Sequence, residues 1–289
     1  MIDGLAVVDK PAGWTSHDVV ARCRRIFGQK RVGHAGTLDP DATGVLLVGL
    51  GRVTRLLRFL TALVKSYTGE VVLGSATTTL DAGGDVVGEW DMASVTLEQV
   101  RAAAHRFVGR IEQVPPMVSA VKVGGRRLHE LARAGQDVAR AARTVEVYEL
   151  GVAPGSEPGV FVLAARCSSG TYVRTLAADL GAALGGGAHL RNLRRTAVGS
   201  FTADVAVPVE RLGPDDVVAP VEALRDYPVT IVDEPAAAVV SHGRPLPGAG
   251  GGATGGGPVR VVDRAGRLLA VYEPAGGELR PGVVVAPAG

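Results

Sequence analysis

Between Thr15 and Phe27, apolar residues fall at Val19, Val20, Cys23, Ile26 and Phe27, the spacing of a helix with one buried face. Thr15 and Asp18 stand in capping-box spacing ahead of them, so a helix is predicted to start there. Val53, Leu56, Leu57 and Leu60 repeat the spacing and predict a second helix over 52–64. Thr96 and Gln99 open another that reaches Val108, residues 127–134 read as helical after the glycine pair 124–125, and Thr171 caps a helix running to Leu184. Short apolar runs bounded by turn residues predict strands at 5–8, 45–48, 66–74 and 160–165. Residues 113–122 carry two prolines and suit a surface wall better than a sheet interior.

From Val207 to Pro228 the pattern turns polar and proline-punctuated, with one short helical stretch at 217–224. A boundary near Tyr227 and Pro228 therefore divides the chain into 1–226 and 227–289. Beyond it, runs at 229–232, 259–262, 268–272 and 283–285 predict a small β domain. Residues 248–257 are nearly all glycine and read as a flexible hairpin tip, with no lysine or hydroxyl at phosphate-loop spacing.

With 289 residues, 46% of them hydrophobic, the chain can bury one good core and a second, small one. A net charge of +2 means that any affinity for a polyanion depends on placement. The cations do cluster, at Arg22, Arg24, Arg25, Lys30 and Arg31 and again at Arg52, Arg55 and Arg58, and residues 189–195 read as a further basic cluster. Such clusters are either solvated helix faces or a floor for a phosphate backbone. Cys23 and Cys167 lack paired spacing, which argues against a disulfide framework or zinc site and for a reducing cytoplasm. Neither a signal peptide nor a membrane span is expected, since Asp3 and Asp9 interrupt the first residues.

Residues 33–44, Gly-His-Ala-Gly-Thr-Leu-Asp-Pro-Asp-Ala-Thr-Gly, lack helical or strand periodicity and abut the apolar run 45–48. A loop held by a core strand can aim side chains, so the active centre is placed here, although Asp39-Pro40 also fits a plain type I turn. Calcium is excluded, because Leu50 stands where the loop needs a bidentate glutamate. A dinucleotide fingerprint at Gly49 and Gly51 is a poor match, with Thr54 in place of the third glycine. Tyr67, near a strand start, fits packing as well as chemistry. Arg174 falls in the first turn of a helix, where the dipole disfavours a cation by about 0.3–1 kcal/mol; it either meets an anion or bends into solvent.

Five separated segments, taken together, resemble the TruB family of tRNA pseudouridine synthases: 10–16 (KPAGWTS), 33–44, 65–67 (KSY), 113–122 (QVPPMVSAVK), and 167–174 continuing to 193–195. The resemblance implies an α+β (mixed α/β) catalytic domain with a long, mostly antiparallel sheet flanked by helices, plus a small C-terminal β domain related to the PUA module. It implies isomerisation of uridine to pseudouridine at position 55 in the T-arm loop of tRNA, without metal, nucleotide or redox cofactor. Asp39 is then the catalytic carboxylate, Arg174 its ion-pair partner, and Asp81 a member of that arginine network. Tyr67 stacks on the uracil, His34 fills the space that the flipped base vacates, and Leu193 lines an apolar base pocket. Lys10 and Tyr172 are placed on the substrate side of the same site. His129 stands where the family usually has a tyrosine. The partners implied are tRNA and neither a membrane nor an obligate protein, with the chain a monomer. A tRNA-binding or tRNA-folding protein without catalysis is the alternative.

Overall fold

The computed structural model describes residues 2–119, 121–133, 135–136, 138–247 and 256–285. In chain order come β1 (Gly4–Lys10), α1 (Ser16–Ile26), β2 (Val32–Ala35), β3 (Thr43–Leu50) and α2 (Leu57–Ala62). After β4 (Lys65–Leu73) follow β5 (Ser75–Thr77), β6 (Val86–Glu89), α3 (Leu97–His105) and β7 (Gly109–Gln113). Then β8 (Lys122–Val123), β9 (Arg126–Arg127), α4 (Leu128–Arg133), β10 (Arg143–Pro154), β11 (Val160–Cys167), α5 (Val173–Ala183) and β12 (Ala188–Val198) complete a mixed α+β arrangement. Two compact units form. One comprises Met1–Pro40, Gly44–Leu63 and Val198–Gly289, the other Asp41–Thr43 and Val64–Ala197.

In the first unit β3 is bonded antiparallel to β1 along its whole length, from Gly4 opposite Leu50 to Lys10 opposite Gly44, and also to β2. Its alternate residues feed two cores. Val45 and Leu47, with Leu5 and Val7, pack on Phe59 and Leu60 of α2, whereas Leu46 and Val48, with Ala6 and Val8, pack on Val19, Val20 and Cys23 of α1. Burial on both faces is why 45–48 is an unbroken apolar run. The capping box of α1 is present, with Thr15 and Asp18 exchanging side-chain and backbone bonds.

Several expectations change here. His34 lies on a strand, β2, so residues 33–44 are not loop throughout. The predicted helix 52–64 is a 3-10 turn over Gly51–Leu56 followed by α2. Gly49 and Gly51 answer to packing: a Cβ on Gly49 would lie 2.9 Å from Leu57 Cδ2, and Gly51, at φ +57, faces the Asp3 carboxylate. Residues 217–224 are not one helix, because Val217–Val218 bonds to β1 as a strand and only Glu222–Leu224 turns.

The C-terminal strands Val229–Val232, Val259–Asp263, Leu268–Ala275, Glu278–Val284 and Leu246–Pro247 make a five-stranded sheet in that order. Helix α6 (Glu234–Ser241), capped by Asp233 and absent from the sequence expectation, adds Val240 to the core of that sheet. Residues 248–255 of the expected glycine-rich tip lie outside the described residues.

In the second unit the strand order is β12, β4, β11, β10, β7. The long β10, missed in the sequence, is antiparallel to both β7 and β11. Residues 189–195, read as a basic cluster, are part of β12. Gly124 and Gly125, at φ +57 and +83, close the β8/β9 hairpin before α4. His129 falls within α4, and its side chain lies outside the described part.

Among the described residues no helix is long and apolar enough to cross a membrane.

Candidate active site

Asp39 is half-buried, and the chain on either side of it is clamped. Ser16 Oγ accepts from Leu38 N at 2.9 Å and donates to Leu38 O at 3.2 Å, so one hydroxyl satisfies both backbone groups of the preceding residue. On the other side, Pro40 O accepts from Gly13 N at 3.0 Å and from Lys10 Nζ at 2.8 Å. Lys10 Nζ also donates to Pro11 O and Trp14 O, at 2.8 and 2.6 Å. Its three protons thus have three carbonyl acceptors, a reason for lysine at this position. Expected at the substrate, Lys10 has 0% exposure and holds the loop from beneath. Gly13 adopts φ +77, which brings its N–H round to Pro40. The pattern Lys-Pro-x-Gly-x-x-Ser is therefore a brace for residues 38–40. Ser16 was not singled out from the sequence; only its place in that pattern pointed to it.

His34 projects from β2, and its ring meets that of His17, at the start of α1, edge to face, with centroids 5.4 Å apart and planes at 82°.

The second unit carries Arg174, Asp81, Tyr172, Tyr67 and Leu193, and of these Arg174 and Asp81 meet. Arg174 is 3% exposed, and its guanidinium donates to Thr79 O and Val118 O, each at 2.8 Å. Asp81 Oδ2 lies 3.4 Å from the same group. Of the two options for a cation in that helical turn, the anion is the one realised. Asp81 is oriented by Thr79 Oγ1 at 2.5 Å and Gly83 N at 3.1 Å, both on Oδ1. Leu80, at φ +63, carries the strain of this turn, and the segment is pinned to β12 through Leu190 N to Leu80 O and Ala82 N to Leu190 O.

The N-cap of α5 is Tyr172, not Thr171. No side chain of α5 caps it; Gln113, a residue unassigned in the sequence, accepts from Tyr172 N at 3.0 Å and donates to Tyr172 O at 3.3 Å. Leu193 is half-buried just after Asn192, whose φ of +54 kinks β12. Glu70 holds the kink by accepting from Asn192 Nδ2 at 2.9 Å and from Arg191 Nε at 2.5 Å, and the Arg191 bond holds its carboxyl below the usual range. Gly69 admits this approach, since a Cβ there would lie 3.3 Å from Leu190 Cδ1.

Tyr67, 8% exposed, sits on the buried face of β4 two residues from Lys65. Lys65 is opposite Cys167 in the sheet. Burial, then the charge of Arg195, lowers the Lys65 ammonium to about 8, and burial pushes the Cys167 thiol up to about 11.

A braced carboxylate in one unit, and a tethered guanidinium and a buried strand tyrosine in the other, are groups suited to nucleophilic or electrostatic work at a sugar carbon. A profile described as "TruB family pseudouridylate synthase (N terminal domain)" matches residues 24–173. The chain belongs to the TruB family. Profiles for the "tRNA pseudouridylate synthase B C-terminal domain" and "tRNA Pseudouridine synthase II, C terminal" match residues 174–224 and 227–286. Among relatives, the tRNA pseudouridine synthase B of Arthrobacter sp. (strain FB24) is 46% identical over 299 residues, covering 99% of this chain and 98% of that protein. The protein of the same name from Thermobifida fusca (strain YX) is 47% identical over 295 residues, with 99% of each covered. A solved Cbf5-Nop10-Gar1 complex contains a chain with TM-score 0.77 and 28% identity, over 98% of this chain and 85% of that one. An H/ACA RNP bound to a substrate RNA containing 2'-deoxyuridine contains another, with TM-score 0.74 and 25% identity over 98% and 85%.

Proposed function

We propose that this TruB-family chain isomerises uridine 55 in the T-arm loop of tRNA, with Asp39 as the essential carboxylate. It is a tRNA pseudouridine synthase, an isomerase that turns uridine into pseudouridine. The N1–C1′ bond breaks, the base turns, and C5 bonds to C1′; C5 gives up its proton and N1 ends with one, so the reaction is redox-neutral. A carboxylate serves each available route, whether by adding to the ring, attacking C1′ or stabilising an oxocarbenium-like sugar. Arg174, already oriented by Asp81, Thr79 and Val118, keeps Asp39 ionised through a charge-assisted bond. Tyr67 stacks on the uracil, Leu193 walls its apolar side, and Tyr172 borders the entry. Flipping the nucleotide costs a few kcal/mol of stacking, and His34 enters the gap it leaves. Residues 227–289 act as a PUA-like module on the same tRNA. The enzyme works as a cytoplasmic monomer with no obligate protein partner.

The observation that carries this reading is the brace around Asp39: Ser16, Gly13 and Lys10 fix the backbone of both its neighbours in a chain of this family. Release of tritium from C5-labelled uridine in unmodified tRNA tests it. Asp39→Asn is expected to lower turnover by more than about 10³-fold while tRNA binding stays within about threefold. Near-wild-type turnover would defeat the assignment. Binding without tritium release by the wild-type chain would leave a tRNA-folding protein in its place.

A further inference from the structure

Eight cations of the first unit were candidates for a polyanion floor, and most have other employment. Arg24 donates to Lys30 O and Val32 O, Arg31 to Thr54 Oγ1, and Arg55 to Val284 O. Arg52 pairs with Asp3 and Arg58 with Glu273. Arg22, Arg25 and Lys30 differ: none makes a side-chain hydrogen bond or ion pair among the described residues, and of the three Arg22 and Arg25 line an open groove of about 320 Å³ with Gly13, Trp14, Asp18 and Ala21. Trp14 is anchored from behind by the core under α1 and is only half-buried, so part of it faces the groove. Asp18, also on the wall, is committed to Thr15, whose bonds hold its carboxyl below the usual range. At one end lies Gly13, whose N–H is bonded to the carbonyl of Pro40, the residue after Asp39. From Asp18 to Arg25 the helix carries the groove about 10 Å away from that loop.

We propose that this groove is a second RNA-contact site, which takes a ribose-phosphate segment of the substrate tRNA, with phosphate on Arg22 and Arg25 and a base or ribose against Trp14. Two cations without protein partners beside an aromatic ring match a nucleotide chain in charge and in stacking chemistry. Continuity with the Asp39 loop lets one strand occupy both places. The proposal rests on tRNA being the substrate and adds an anchor outside the reacting nucleotide.

The chain has two tryptophans, Trp14 and Trp90, so the Trp90→Phe protein reports on Trp14 alone. Titrating it with unmodified tRNA transcript should change the Trp14 emission with a midpoint equal to the Kd from filter binding. Arg22→Gln/Arg25→Gln, which keeps helix propensity, should raise that Kd about tenfold near physiological salt and lower the log K against log salt slope by about 1–2. Arg24→Gln, a loss of charge on the same helix with the guanidinium turned elsewhere, should change the slope by less than half as much. The groove is overturned if Trp14 emission stays fixed at saturating tRNA. It is equally overturned if the folded double variant keeps the wild-type Kd and slope, or if Arg24→Gln matches it charge for charge. Failure of the wild-type chain to bind tRNA would instead remove the substrate reading itself.

Discussion

Asp39 and Arg174 are fixed in opposite ways. Around Asp39 the fixed atoms are backbone: a serine, a glycine amide and a lysine hold the flanking residues, and the carboxylate sits half-buried. Around Arg174 the fixed atoms are those of the side chain itself, gripped by two carbonyls and a carboxylate with almost no exposure. A group that reacts with substrate must be aimed at it, and bracing its neighbours aims it through the backbone. A group that orients another charge can be saturated from behind. On this contrast, changes at Arg174 should damage folding and chemistry together, whereas changes at the Asp39 brace should separate kcat from tRNA affinity.

The largest effect that the contrast predicts, after Asp39→Asn itself, is at Arg174. Arg174→Lys retains the charge but loses the planar fork that reaches Thr79 O, Val118 O and Asp81 at once. Tritium release should fall by about 10²-fold or more, and urea denaturation should show a loss of about 2–4 kcal/mol. A variant as stable as the wild type would break the contrast, because it would mean that the arginine is not structurally saturated.

Next comes Ser16→Ala. The hydroxyl is 1% exposed, and its removal leaves the N–H and C=O of Leu38 without that partner, a cost of about 1–3 kcal/mol. Since Ser16 is buried and acts on Asp39 through the backbone of Leu38, kcat should drop about tenfold or more while KM for tRNA moves less than twofold. Ser16→Thr should recover part of kcat. Equal losses in kcat and affinity would mean that the loop shapes the RNA surface as well as the carboxylate.

How much of this was legible differs between the two regions for the same reason. The Asp39 brace lies within 31 residues of sequence, from Lys10 to Pro40, and its parts carry local signals: a glycine before a capping box, a lysine before proline, a loop against an apolar strand. The α1 cap and the strand 45–48 were likewise local and were found. The Arg174 grip joins residues 79, 81, 118 and 174, far apart in sequence, and two of its three acceptors are backbone carbonyls, which any residue type supplies. No pattern marks Thr79 or Val118 as acceptors, and only the helix dipole hinted that Arg174 needed one. The long β10 escaped because only Val145, Val147 and Val152 of its twelve residues are buried, too sparse an alternation to read. Residues 189–195 were read by charge instead of by period, so a strand was taken for a basic cluster. Thr171 was assigned as N-cap by residue type, whereas Gln113, 59 residues away, supplies the bonds at Tyr172.

The smallest predicted effect extends the contrast to the strand that carries Tyr67. Lys65 is 5% exposed, and burial together with Arg195 lowers its ammonium from 10.5 to about 8. Between those two values the unfolded chain binds more protons at this site than the folded one, so this lysine makes stability rise with pH there, and its charged form penalises the fold below about 8. From about pH 7 to 9 the wild type should gain about 1 kcal/mol relative to Lys65→Met, measured by urea denaturation at each pH. Cys23, pushed up to about 11 by burial, acts in the other direction above about 9 in both proteins and cancels in the difference. Cys167, which the Lys65 charge holds lower, moves further up in Lys65→Met and titrates above this range. A flat difference across that range would mean that Lys65 keeps its ordinary basicity and that the tyrosine strand rests on no desolvated charge. A rising one would set Lys65, whose ammonium is desolvated, apart from the buried Lys10 of the Asp39 brace, whose ammonium has three carbonyl acceptors.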